Sequence, residues 1–196
     1  MIKETLAGAA ERSLPAAVRA IMKKAEEAAR VLVTIDGPCA SGKTTLAREL
    51  SSLLDCDVIH TDDFVVPHRQ KTPERLAVPG GNCDWERLAR DVIIPWKSGS
   101  AVRYRKYNCH EDRLETPEPI VSEKLLILEG CYCNLPAIRD QADVRLFAET
   151  PEEIRLERLK QRESPESLAL FRSRWIPLEN AYFEKYGLPD PGCILL

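Results

Sequence analysis

Two hydrophobic rhythms alternate along the chain. Short, nearly continuous apolar runs, several of them β-branched, occupy Val31–Asp36, Asp57–His60, Lys124–Glu129 and Val144–Ala148. Runs of this length suit strands buried on both faces, as in a parallel sheet. Between them, apolar residues recur at steps of three and four. Leu14, Val18, Ile21, Ala25 and Ala28 share one face of Ser13–Arg30, and Leu46, Leu50, Leu53 and Leu54 one side of Thr44–Leu54. Helices are also predicted from Trp85 to about Trp96 behind an Asp84 cap, over Glu152–Gln161, and over Glu166–Tyr186 with an interruption at Pro177. Ser13 is placed to cap the first helix, and Pro15 falls in its first turn, where a missing N–H is harmless. Ala101–Tyr107 reads as extended, and the tail, Gly187–Leu196, as either an edge strand or a loose end. Strands alternating with helices predict an α/β fold: a mostly parallel central sheet with helices on both faces.

Length and charge narrow the picture. The 196 residues suit a single domain, with a helix over residues 1–30 packed on a core formed by residues 31–196. The 28 Lys and Arg against 31 Asp and Glu leave a net charge of −3, which argues against a broad nucleic-acid footprint. No run approaches the roughly 20 apolar residues of a membrane span, so neither nucleic acid nor membrane is an expected partner. The seven cysteines are odd in number and irregular in spacing. Free thiols in a reducing cytoplasm are expected, and Met1–Arg30, alternating charge with alanine, has no apolar leader-like run.

The chemistry concentrates after the first strand. Gly37-Pro38-Cys39-Ala40-Ser41-Gly42-Lys43-Thr44 fits G-x-x-x-x-G-K-[ST] at every position, between a buried strand and a helix. Glycines let successive N–H groups turn inward around phosphate oxygens, and the helix that follows adds its N-terminal dipole. The cradle is therefore expected over Gly37 to Thr45, with Lys43 on the β- and γ-phosphates and the Thr44 hydroxyl on Mg2+. Amides, dipole and Lys43 together favour a thiolate at Cys39, unless its side chain turns into the fold. His60-Thr61-Asp62-Asp63-Phe64 follows the second strand, whose carboxyl end faces the ligand crevice in such a sheet. Asp62 is placed there to take a proton from an attacking hydroxyl or to hold Mg2+ through water. An extended continuation would turn Asp63 away from it. Trp175 and Glu179-x-x-Tyr182-Phe183 read as helix packing without chemistry.

Gly37–Thr44, Thr61-Asp62-Asp63-Phe64, Gly81-Asn82-Cys83-Asp84-Trp85-Glu86-Arg87 and Leu126-Ile127-Leu128-Glu129-Gly130, in that order, resemble the uridine kinase-like group of P-loop kinases. That group also contains pantothenate kinase and phosphoribulokinase, and the resemblance runs from about Arg30 to Tyr186. It implies a P-loop NTPase fold with a small arginine-bearing lid at about residues 155–175, using ATP and Mg2+. It implies Asp62 as catalytic base, Glu129 as the acid near Mg2+, and Asp84 near the acceptor's sugar. Arg158 and Arg162 are implied as lid arginines, with Arg155 unassigned. Uridine kinases carry Tyr-Asp-Phe-x-x-His-x-Arg in the base pocket. Tyr104–Arg113 keeps an aromatic, a His and an Arg at altered spacing, with Asn108 in place of Asp, so Tyr107 and His110 are the candidate substrate contacts. The family's Arg-Gly-Arg lid stretch is missing. The expected activity is phosphoryl transfer from ATP to a hydroxyl of a small molecule, a nucleoside first. The alternatives are a kinase for a vitamin, a sugar or a nucleotide, or a nucleotide-binding regulatory domain without transfer. A homo-oligomer is left open.

Overall fold

The structure, a computed structural model, describes the backbone of residues 2–196 and the side chains of residues 14–196. In chain order it contains α1 (Ile2–Glu27), β1 (Val31–Asp36), α2 (Lys43–Leu54), β2 (Asp57–His60), α3 (Pro73–Ala77), α4 (Trp85–Leu88), α5 (Ile94–Lys97) and β3 (Val102–Tyr104). Then follow β4 (Tyr107–Asn108), β5 (Arg113–Leu114), β6 (Glu118–Ile120), β7 (Leu125–Glu129), α6 (Pro136–Arg139), β8 (Val144–Phe147), α7 (Glu152–Arg162), α8 (Pro165–Leu170), α9 (Ile176–Tyr186) and β9 (Cys193–Leu195).

Every residue of β1 is buried. It pairs in parallel with β7 on one side and β8 on the other, and the five-stranded parallel sheet runs β2-β7-β1-β8-β9. Alternate side chains feed two cores. Val31, Val33 and Ile35 meet Ala17 and Ile21 of α1 and Ala47 and Leu50 of α2. Leu32 faces the other way, toward Leu88, Trp96 and Tyr182. Helices therefore cover both faces, which is why the strands read as apolar runs without alternation. The tail closes the sheet edge as β9, paired with β8. Two small antiparallel pairs, β3 with β6 and β4 with β5, lie between α5 and β7 in the chain.

Local differences from the sequence-based expectation have identifiable causes. The first helix starts at Ile2, so Ser13 lies inside it and not at its start; its side chain lies outside the described residues, and Pro15 is interior. The Ala-, Leu- and Glu-rich residues upstream sustain helix propensity past the predicted start. The helix predicted over Trp85–Trp96 is α4 and α5 joined by a wide turn over Ala89–Ile93, and the interruption predicted at Pro177 is a second such turn over Phe171–Trp175. Each precedes an Ile-Pro pair, where the Ile amide reaches back five residues, Ile94 to Ala89 and Ile176 to Phe171. Proline has no N–H to continue the ordinary ladder, so the helix takes up the slack one residue earlier and continues.

Asp36 ends β1 fully buried. Its carboxylate accepts the N–H of Gly37 at 2.7 Å, the N–H of Asn134 at 2.9 Å and the Tyr182 hydroxyl at 2.7 Å. Thr34 donates to the Asn134 side chain at 2.8 Å, so one polar network crosses the core under the sheet's carboxyl edge. Burial raises the Asp36 carboxyl to about 6, against the pull of these bonds and of Lys43. The folded chain therefore holds this proton more tightly than the unfolded one. The extra stability is fully present below about pH 4 and is lost as pH rises through about 6, a change of roughly 3 kcal/mol. Asp36→Asn should flatten that part of the stability profile. Urea unfolding of both proteins between pH 4 and 7 measures it, and equal slopes would show that Asp36 titrates normally.

Candidate active site

The chain leaves the middle of the sheet at Gly37, with φ at +141°. A Cβ there would lie 2.5 Å from the Ala148 carbonyl oxygen, so only glycine passes. The loop closes on itself through the Ser41 amide, which donates to the Pro38 carbonyl at 3.2 Å. Gly42, also at positive φ, caps α2. The amides of Gly42, Lys43, Thr44 and Thr45 are the helix's first donors, which helix geometry leaves without intrahelical acceptors. Lys43 is buried, and its ammonium donates to the Pro38 carbonyl at 2.9 Å. The Thr44 hydroxyl donates to Glu129 Oε1 at 3.2 Å, and His60 Nδ1 meets the same oxygen at 2.5 Å. The bond to Glu129 is the largest cause raising the His60 imidazole above its usual range. Thr44, Glu129 and His60 thus meet where α2, β7 and β2 converge.

Beyond His60 the chain does not stay extended. Thr61–Phe64 forms one 3₁₀ turn, capped behind by the Thr61 hydroxyl donating to the Cys131 carbonyl at 2.9 Å. Gly130 permits this crossing, since a Cβ there would overlap the Thr61 hydroxyl at 2.0 Å. The side chains of Asp62 and Asp63 therefore diverge by about 120°, as successive residues of a 3₁₀ turn do, and not by strand alternation. Asp62 is open to solvent yet closely surrounded by protein atoms, which raises its carboxyl above the ordinary range. Lys43, His60 and Arg162 act on it in the opposite sense, and Glu129 adds to the rise. Asp63 is half-buried. It accepts the Tyr104 hydroxyl at 3.2 Å, while its carbonyl accepts from Arg87 at 2.8 Å.

The other predicted acceptor residues sit differently. Asp84 caps α4 by accepting the Arg87 amide at 3.1 Å, and pairs with the Arg87 guanidinium at 3.3 Å. Arg87 is buried, stacks over Phe64 at 4.2 Å and donates to the Arg105 carbonyl at 2.7 Å. Tyr107 spends its hydroxyl on Asp112 and accepts the His68 amide at 3.3 Å. His110 is exposed in the β4–β5 turn, its amide on the Asn108 side chain at 3.0 Å. Tyr104 is the tyrosine whose hydroxyl reaches Asp63, while β4, which carries Tyr107, packs against the same Thr61–Phe64 turn. A signal for it lay in β3, where Val102 and Tyr104 face inward around the exposed Arg103.

Two of the arginines on α7 grip the loop from outside. Arg155 is buried and donates to the Cys39 carbonyl at 3.3 Å and the Thr150 carbonyl at 3.2 Å. Arg158 donates to the Ala40 carbonyl at 2.9 Å. Arg162 pairs with Glu163 at 2.7 Å and lies 5.9 Å from the Phe171 ring centre.

A parallel sheet whose central strand runs into a G-x-x-x-x-G-K-T loop, with Glu129 at the end of the adjacent β7 and Asp62 just past β2, defines an α/β P-loop NTPase. The chain belongs to the family described as an AAA domain, whose model matches residues 33–180. Among curated relatives, a uridine kinase of Ligilactobacillus salivarius is 28% identical over 147 residues, which cover 69% of this chain and 68% of that protein. Uridine kinase-like protein 5 of Arabidopsis thaliana is 28% identical over the same share of this chain but only 31% of its own length. A solved structure described as a possible uridine kinase from Bacillus stearothermophilus superposes with a TM-score of 0.63 at 20% identity, covering 90% of this chain and 97% of that one. D-glycerate 3-kinase from Cryptococcus neoformans superposes with a TM-score of 0.60 at 12% identity, covering 86% of each chain. The chain is thus similar in sequence to uridine kinases and in fold to the P-loop kinases among these structures. Among the described residues, no helix is long and apolar enough to cross a membrane.

Cys39 departs from the thiolate expected in a phosphate loop. It is buried against Leu159 and Ile176, and burial, followed by the neighbouring Glu179 carboxylate, pushes its thiol up to about 12. Arg155 and Lys43 pull the other way without prevailing. Only thiolates react appreciably with alkylating reagents. Iodoacetamide at pH 8 should therefore modify the exposed Cys109 first and leave Cys39 nearly untouched, with or without Mg-ATP. Peptide mass spectrometry over a labelling time course checks the order; early labelling of Cys39 would restore the thiolate.

Proposed function

We propose that the protein is an ATP-dependent phosphotransferase acting on a hydroxyl of a small molecule, with nucleosides as the first acceptor class. The observation that carries this is Asp62: a solvent-open carboxylate set between the phosphate loop's Lys43 and the Tyr104–Asp63 pair. Asp62 takes the acceptor's proton as its oxygen forms the new bond to the γ-phosphorus. The bond from that phosphorus to the bridging oxygen breaks, and ADP leaves. Lys43 and the first-turn amides of α2 hold the phosphates, while Arg158 and Arg162 stand by for the charge spread over the transferring group. Thr44 and Glu129 offer hard oxygen donors that fit Mg2+. Bound there, Mg2+ would neutralise phosphate charge. Asp63, with Tyr104 and Lys106 around it, offers acceptors and donors for further hydroxyls of the substrate. Asp84, tied to Arg87, supports that wall from behind, and Tyr107 and His110 belong to the hairpin at its rim. Seven free thiols and small-molecule chemistry favour a cytoplasmic setting.

Acceptor-dependent ADP release across a panel of nucleosides, sugars and vitamins tests this reading. Release with a nucleoside supports the first class. Tight Mg-ATP binding without acceptor-dependent release would make the protein a regulatory nucleotide-binding domain. Once an acceptor is known, Asp62→Asn should lower kcat by about 10²–10⁴-fold with ATP affinity little changed. Asp63→Asn should cost much less in kcat and appear chiefly in the acceptor's KM. A large loss of Mg-ATP binding in Asp62→Asn would assign the carboxylate to metal coordination. Lys43→Ala should weaken ATP binding equally with every acceptor, because its charge meets the donor; nucleotide titration with and without acceptor reads this.

A further inference from the structure

α9 turns Glu179 and Tyr182, one helical turn apart, toward the phosphate loop. Both are buried, and neither has a part in the transfer chemistry. Tyr182 reaches Asp36, where the loop begins. Glu179 reaches the loop's apex, where Oε2 accepts the Cys39 N–H at 2.9 Å. From α7, Arg155 donates to the carbonyl of that same residue. Both backbone polar groups of Cys39 are thus held by side chains from helices more than a hundred residues away, while its own side chain packs on Leu159 and Ile176.

Packing alone does not account for a carboxylate here. Burial works against its charge, and a second negative charge beside a triphosphate site is adverse. What offsets this is local: the Cys39 amide, Lys43 and Arg155 all favour the ionised form. Resting on the loop as an ATP site, we propose that Glu179 is a positioning residue for phosphate binding: it holds the Cys39 amide, fixes the loop's apex from the α9 side, and presents the first-turn amides of α2 in a shape already made for phosphate. A cradle ordered in advance spares the triphosphate the cost of ordering it. The same bond ties the loop to α9, and Arg155 ties it to α7, so two helices hold the loop's apex.

The test uses the full chain with two substitutions. Glu179→Met fills similar space without an acceptor, and Glu179→Gln keeps an oxygen for the Cys39 amide without the charge. Mg-ATP binding by calorimetry and residue-resolved alkylation rates are read together, with the fully buried Cys133 as the internal control for unfolding. Glu179→Met should bind Mg-ATP about tenfold more weakly, the worth of roughly one lost hydrogen bond. Both variants lose the charge that, after burial, raises the Cys39 thiol, so Cys39 should label faster in both while Cys133 stays unreactive, and Glu179→Gln should restore Mg-ATP binding. Parent-like ATP binding in Glu179→Met would overturn the proposal. So would equal impairment of the two variants, or Cys133 labelling alongside Cys39, which would make Glu179 a support of the core. Failure of the unsubstituted chain to bind Mg-ATP would instead sink the nucleotide reading, before any variant is compared.

Discussion

At Gly37 the backbone must leave the centre of a parallel sheet, clear the Ala148 carbonyl of the neighbouring strand's exit, and enter α2 within six residues. The space allows no side chain, and the φ required is one that side chains resist. Because β1 lies between β7 and β8, this turn opens the phosphate cradle between their carboxyl ends. Glu129 is delivered on one side by β7, and Thr150, just past β8, closes the other by donating to the Ser41 carbonyl at 2.9 Å. The Asp36 network holds the same turn from beneath, by taking the Gly37 amide into the core.

Around that turn the charges form one system. Asp36, Asp62 and Glu179 are each raised by burial or crowding, and Lys43 is an opposing charge on all three. A single ammonium inside the loop therefore balances carboxylates that come from β1, from the turn after β2 and from α9. A triphosphate draws on the same ammonium. Arg155 beside Glu179 and Arg162 near Asp62 supply positive charge that does not depend on Lys43.

The two walls of the site are built by different means. On the donor side, helices do the work: α7 grips the outside of the loop, and the Ile-Pro turn before α9 lets α8–α9 run on as a nearly continuous rod. On the acceptor side, one buried arginine gathers short segments. Arg87 joins Asp84, the Asp63 carbonyl, the Arg105 carbonyl and the Phe64 ring, so the Thr61–Phe64 turn, α4 and the segment after β3 are tied together.

Much of this was written locally. Continuous apolar runs marked the sheet strands because both faces are covered, and the phosphate loop was legible because its glycines and lysine act within eight consecutive residues. Asp62 could be placed because it follows the end of a strand that points at the loop, and Glu129 through the resemblance to uridine kinase-like kinases. What periodicity could not report were contacts between distant segments. The Asp62–Asp63 turn is set by Thr61 crossing Gly130, the Tyr104 contact with Asp63 by how two small sheets fold onto that turn, and the state of Cys39 by burial together with a carboxylate 140 residues away. Covalent neighbours fix which elements form, since helix and strand repeat over a few residues. Which side chains meet, and so which carboxylate is raised and which thiol is inert, depends on burial and on charges brought together only when the layers pack.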